Sequence, residues 1–133
     1  MTSDAAPQQS QDASARARKR VMRVINLTTG ETLAHHAVIA RNFWARFIGL
    51  QGRRTLPADE GLVLLPTASI HTFFMRLPID AVFVDEQGRV TRVGRALRPW
   101  RIGPFAPGAL YCVELPAGAA ANTHPGHEIA LRP

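Results

Sequence analysis

The sequence predicts an α+β fold: a single compact domain on a mostly antiparallel, curled, barrel-like β-sheet with two short helices. Three observations predict it. Short runs of alternating apolar and polar residues recur along most of the chain, each bounded by Gly, Pro, Asn or Asp. One segment, ARNFWARFIGLQG, instead carries apolar residues at helical spacing. The chain has 133 residues and is 46% hydrophobic, which suffices for one real core.

Residues 1–20 are rich in Ala, Ser, Gln and Arg and offer almost nothing to bury. They read as a disordered tail, leaving 21–133 as the domain. VMRVINLTTGETLAHHAVIA then alternates around Thr28-Thr29-Gly30-Glu31, a hairpin signal that gives two strands. In ARNFWARFIGLQG, Phe43, Trp44, Phe47 and Ile48 form one stripe, and Gly49 and Gly52 end the helix. After a turn at LPADEG, the segments GLVLLP and IHTFFMRL read as strands bounded by Pro57, Pro66 and Pro78. IDAVFVDEQGRVTRVGRAL is the clearest hairpin, turning at Asp85-Glu86-Gln87-Gly88. ALYCVELPAG adds a strand, Pro116 to Asn122 supplies one or two helical turns, and HEIALRP is the last strand.

Composition removes several classes of function. No apolar run approaches the ~20 residues that span a bilayer, so no membrane partner is expected. The opening residues lack the apolar segment of a secretory signal, and Asp4 and Asp12 argue against a transit peptide, so the expected location is cytoplasmic. Cys112, the only cysteine, permits neither an internal disulfide nor a cysteine metal cluster. Phosphate-loop, Gly-x-Ser-x-Gly, His-Glu-x-x-His and Cys-x-x-Cys motifs are all missing, and no cofactor or metal is expected. The net charge of +6 is spread along the chain rather than massed.

The stretch HTFFMRLPIDAVFVD, His71 to Asp85, is the most apolar part of the chain, yet it holds a His, an Arg and two Asp. An unpaired charge inside a core costs several kcal/mol, so these residues sit at its edges or build a site. In a strand, Asp80 falls in the row of Val82 and Val84, where a carboxylate needs partners: Arg76, His71 or a set of backbone N–H groups. Two readings follow. Asp80 pins the backbone near a bend, or His71, Met75, Arg76 and Asp80 surround a polar pocket.

The run GLQGRRTLPADEGLVLLPTASIHTFFMRLPIDAVFVDEQGRV, followed by LRPWR and VELPAG, resembles the bacterial and archaeal domain-of-unknown-function family 192 over about residues 23–132. The resemblance implies a compact, sheet-rich α+β domain and brings no reaction with it. It marks as motif positions Gly49, Leu50, Arg53, Gly61, His71, Met75, Pro78, Asp80, Asp85, Pro99, Trp100 and Gly118. Gln51 stands where many members have Met, and the stretch between Met75 and Pro78 is shorter than in many of them.

Arg89, Arg92, Arg95, Arg98 and Arg101 recur every third residue, a period that matches no single strand face. With Trp100 and Arg53 they suggest an anion-binding patch, for which Arg53, Arg95, Arg98 and Trp100 are the candidate residues. The plainer reading is a solvated edge whose like charges discourage strand-to-strand aggregation. The expected function is an accessory or small-ligand-binding module with a polar pocket near His71 and Asp80, its partner a small anionic ligand. The alternatives are an enzyme acting on a small anionic substrate and a weak binder of nucleic acid or an anionic surface.

Overall fold

The computed structural model describes residues 21–40, 56–66, 69–71, 77–99 and 102–133. Among these described residues nine strands follow in order: β1 (Val21–Asn26), β2 (Thr32–Ala40), β3 (Glu60–Leu64), β4 (Ser69–His71), β5 (Ile79–Asp85), β6 (Val90–Leu97), β7 (Ile102–Phe105), β8 (Ala109–Pro116) and β9 (Ile129–Arg132). Seven form one sheet in the order β6-β5-β8-β3-β2-β1-β9, and β4 with β7 makes a separate two-stranded ribbon. All pairings are antiparallel except β2 with β3. A parallel pair needs a long crossover, here residues 41–59.

The α+β expectation is corrected: among the described residues the fold is all-β, and its main sheet is open and mixed rather than a closed, barrel-like one. The first expected helix, residues 40–52, lies outside the described residues beyond Ala40. The second, Pro116 to Asn122, is a chain of tight turns closed by the bonds Ala119 N–H to Pro116 O (3.0 Å), Ala121 N–H to Gly118 O (3.1 Å) and Thr123 N–H to Ala120 O (3.1 Å). Gly118 has φ +94, and the amides of Gly118 and Ala120 donate to Asp80 instead of running along a helix axis. Three-residue closure and a left-handed Gly break the helical repeat at once. The edges β6 and β9 meet at one corner, where an Arg89–Glu128 bridge is flanked by Val90 N–H to His127 O and Ile129 N–H to Gly88 O, both 2.8 Å.

Alternation decides which face each residue takes. On β5, Val82 and Val84 enter a first apolar cluster while Ile79, Ala81 and Phe83 enter a second. On β8, Tyr111, Val113 and Leu115 join the first and Cys112 the second. The central strands β3, β5 and β8 are thus buried on both faces and read as near-continuous apolar runs. The first cluster draws residues from every strand of the main sheet, which coils around it. The second is joined by Leu77, after β4, and Ala106, after β7, so the ribbon leaves and rejoins the molecule on that side.

Two departures from simple alternation matter. β7, with sequence IGPF, gives no strand signal because Gly103 and Pro104 read as a turn; Pro is tolerated in an outlying ribbon. His35 and His36 form a bulge in β2: both amides donate to Asp59 O at 2.9 Å, and together they oppose Arg23 of β1. Adjacent residues of a regular strand would point to opposite faces. Here both imidazoles are exposed, and His35 Nδ1 lies 3.2 Å from Asp59 Oδ1.

Candidate functional site

Asp80 is 1% exposed, and both of its carboxylate oxygens accept backbone hydrogen bonds. Oδ1 takes the Ala96 N–H at 2.8 Å, while Oδ2 takes those of Gly118 (2.9 Å) and Ala120 (3.0 Å). The chain is shaped to supply them. β6 bulges opposite Asp80, with its register shifting between the Ile79–Leu97 and Ala81–Gly94 pairs, and Ala96 at the bulge has φ 48. A left-handed Ala is strained, and the bond to a buried carboxylate offsets that cost.

Arg95 grips the same turn from its other side. Nη1 donates to Ala120 O, and Nη2 donates to Thr123 O at 2.6 Å and to His124 Nδ1 at 3.3 Å. The carboxylate collects the amides of Gly118 and Ala120 and the guanidinium the carbonyls of Ala120 and Thr123, so an acid and a base hold one turn between them without touching. Asn26, fully buried, anchors the turn's far end through Nδ2 to Thr123 Oγ1 and to His127 Nδ1, both 3.1 Å. Its Oδ1 accepts the Thr28 and Thr29 amides at 3.0 and 3.1 Å, which fixes the orientation of the amide.

A second buried carboxylate lies one ladder step away. Asp80 pairs with Leu115 and Ala81 with Glu114, so the two acids sit on neighbouring strands and face opposite sides of the sheet. Glu114 is 2% exposed, set between Leu62 of β3 and Ala81 of β5 and close along β8 to Cys112, with Leu64, Ile79 and Phe83 nearby on that face. It is partnered, as a buried charge must be. Gly61 keeps this place tight: a Cβ there would meet Leu115 Cδ2 at 3.0 Å and Glu114 O at 3.2 Å. Sequence reasoning passed over Glu114, because a Glu in an alternating strand reads as a solvent-facing residue. The available signal was its position two residues from Cys112, on a strand that also buries Tyr111, Val113 and Leu115.

The other expected site residues divide clearly. His71 lies in β4, its backbone opposite Ile102 of β7, in a different sheet from Asp80. Arg53, Met75, Arg76 and Trp100 lie outside the described residues. Arg95 holds the turn described above, and Arg98 is exposed and partnered. Arg92 donates from Nη1 to Phe105 O at 2.9 Å, tying β6 to the ribbon. On the first face, Tyr111 has its hydroxyl pushed up to about 12 by burial and, less, by the charge of Asp85. Among the described residues no three His, Cys, Asp or Glu converge on a metal position.

The model of the family DUF192, an "uncharacterized ACR", matches residues 23–131. The chain belongs to the DUF192 family. The match covers the strands that carry Asp80 and Glu114 and leaves out residues 1–20. A UPF0127 protein of Thermococcus sibiricus is 39% identical over 114 residues, covering 80% of this chain and 72% of that one. A second, from Pyrococcus furiosus, is 34% identical over 100 residues, covering 71% and 84%. A crystal structure of a protein of unknown function from Novosphingobium aromaticivorans superposes with a TM-score of 0.70 at 24% identity, covering 83% of each chain, and shows that the DUF192 fold described here recurs there. Among the described residues no helix is long and apolar enough to cross a membrane.

Proposed function

We propose that this DUF192 chain is a small-ligand-binding module whose site lies on the second face of the sheet, on the side of the β4–β7 ribbon that carries His71. The observation that carries this reading is Glu114, a buried carboxylate set among the apolar residues Leu62, Leu64, Ile79, Ala81 and Phe83. Apolar residues of similar volume stabilise such a position as well or better, so an acid kept there serves register or recognition. Register is already secured next door by Asp80. A carboxylate repels anions in a low-dielectric setting, so the ligand presents N–H or O–H donors to it, as an amine, guanidine or sugar does. Asp80 is not a contact of this site, because it faces the other side of the sheet and its oxygens are taken by backbone amides.

A dye-reported thermal screen of amines, guanidines, sugars, carboxylates and phosphates tests the proposal. One donor-bearing class raises the midpoint of the parent protein by several degrees, as mass action on the folded state requires. Glu114→Gln abolishes that rise, whereas Asp80→Asn lowers the starting midpoint and keeps the rise. A rise that survives Glu114→Gln, or no rise with any class, overturns the assignment.

A further inference from the structure

The second face is covered where β3, β5, β8 and the Ala40 end of β2 cross it and open to solvent along β1, β9 and at Val38 of β2. On this open part Arg23 of β1 stands directly opposite Arg132 of β9, and both are exposed. Directly opposed residues of an antiparallel pair share a face, with Cβ atoms roughly 4.5–5.5 Å apart, and like charges so placed repel. The nearest acids on this side lie beyond β2 and are already engaged: Asp59 lies 3.2 Å from His35, and Glu60, opposite His36, is partnered. The neighbouring pairs on the same face are Ile25–Ala130 and Val21–Val38, and the residues opposing Arg23 on its other side are His35 and His36. Among the described residues, neither Arg23 nor Arg132 has a side-chain hydrogen bond or ion pair.

The other described arginines are placed differently. Arg92 and Arg95 donate to backbone carbonyls, Arg98 is partnered, and Arg89 faces Glu128 across the edge bridge. Two arginines rooted side by side on one face of a regular ladder form a two-pronged fork. The group that satisfies both prongs is a tetrahedral oxyanion, whose oxygens accept paired N–H bonds from each and whose charge cancels the repulsion. We propose that this face binds a phosphate group between Arg23 and Arg132, independently of the Glu114 site.

Titration calorimetry and thermal denaturation with inorganic phosphate, at ionic strength held constant with chloride, provide the test. The parent binds phosphate with a rise in midpoint that chloride does not give. Arg23→Gln and Arg132→Gln each weaken binding by roughly tenfold, the loss of charge-assisted bonds from one prong. Both variants keep or raise the parent's midpoint in chloride, because a repulsion is removed, and Arg92→Gln leaves phosphate binding unchanged. A parallel arm with phosphatidic acid vesicles against phosphatidylcholine vesicles distinguishes a lipid headgroup from a free phosphate: sedimentation lost in Arg23→Gln supports the headgroup source, and phosphate binding alone supports the free ion. If the parent responds to neither, or if Arg23→Gln/Arg132→Gln responds as the parent does, the proposal is wrong.

Discussion

Asp80 and Glu114 are two buried carboxylates one ladder step apart, and they solve the same desolvation problem in different ways. Asp80, on the face around which the sheet coils, is surrounded by the chain's own amides: a bulge in β6 and a left-handed Gly118 exist to bring N–H groups to it. Glu114, on the opposite face, sits in an apolar strip with Leu62, Leu64, Ile79, Ala81 and Phe83. The difference teaches that burial alone does not mark a functional acid. Three backbone amides on Asp80's oxygens mark it as a structural pin, whereas Glu114, also partnered, is set apart by the apolar cluster that surrounds it.

The largest expected effect breaks the comparison if it fails. Asp80→Ala costs about 3–5 kcal/mol in urea denaturation, because three amides lose a charged acceptor and stay buried. Asp80→Asn costs about 1–3 kcal/mol, and Glu114→Gln stays within about 1 kcal/mol of the parent. Equal losses at the two acids would mean that both are pins. Next in size, Arg95→Ala costs about 1–2 kcal/mol through the carbonyls it leaves without a donor. Because Arg95 and Asp80 hold one turn from opposite sides, their double-mutant cycle is non-additive by at least about 0.5 kcal/mol. An additive cycle would show that the turn is held by each end alone.

The smallest effect concerns the tyrosine on the coiled face. Tyr111 ionises near 10 when unfolded and only at about 12 when folded, so the folded state keeps a proton that the unfolded state has released between those values. Stability therefore falls as pH rises above 10, by about 1 kcal/mol at pH 11. Tyr111→Phe removes this component of the alkaline limb, which denaturation at pH 9 and pH 11 would read directly. An unchanged limb in the variant would show that the coiled face admits solvent to Tyr111.

Much of this was legible from residue order. Both hairpins, the strand ALYCVELPAG and the last strand follow from alternation between turn residues, and β1, β2, β5, β6, β8 and β9 stand where those patterns lie. The buried setting of Asp80 was legible too, from its row with Val82 and Val84, and backbone amides were among the partners foreseen. Residues 116–122 were misread because Pro116, Ala119, Ala120 and Ala121 have no period of their own, and nothing local says that their amides belong to an aspartate some forty positions earlier. The strand β7 was hidden by Gly103 and Pro104, and Glu114 by the rule that a charged residue in an alternating strand faces water.

What the sequence by itself determined is most of the strands, the hairpin turns and the alternation along each of those strands, since these depend on side chains within a few residues of one another. Which faces are covered was decided only by tertiary structure. The order β6-β5-β8-β3-β2-β1-β9 places β5, β8 and β3 centrally and buries both their sides, which turns Glu114 from a surface residue into a buried one. The same order sets β1 beside β9 and brings Arg23 opposite Arg132 across a sequence separation of more than a hundred residues. Alternation fixes that a side chain points to one face or the other; pairing between distant strands fixes what it meets there.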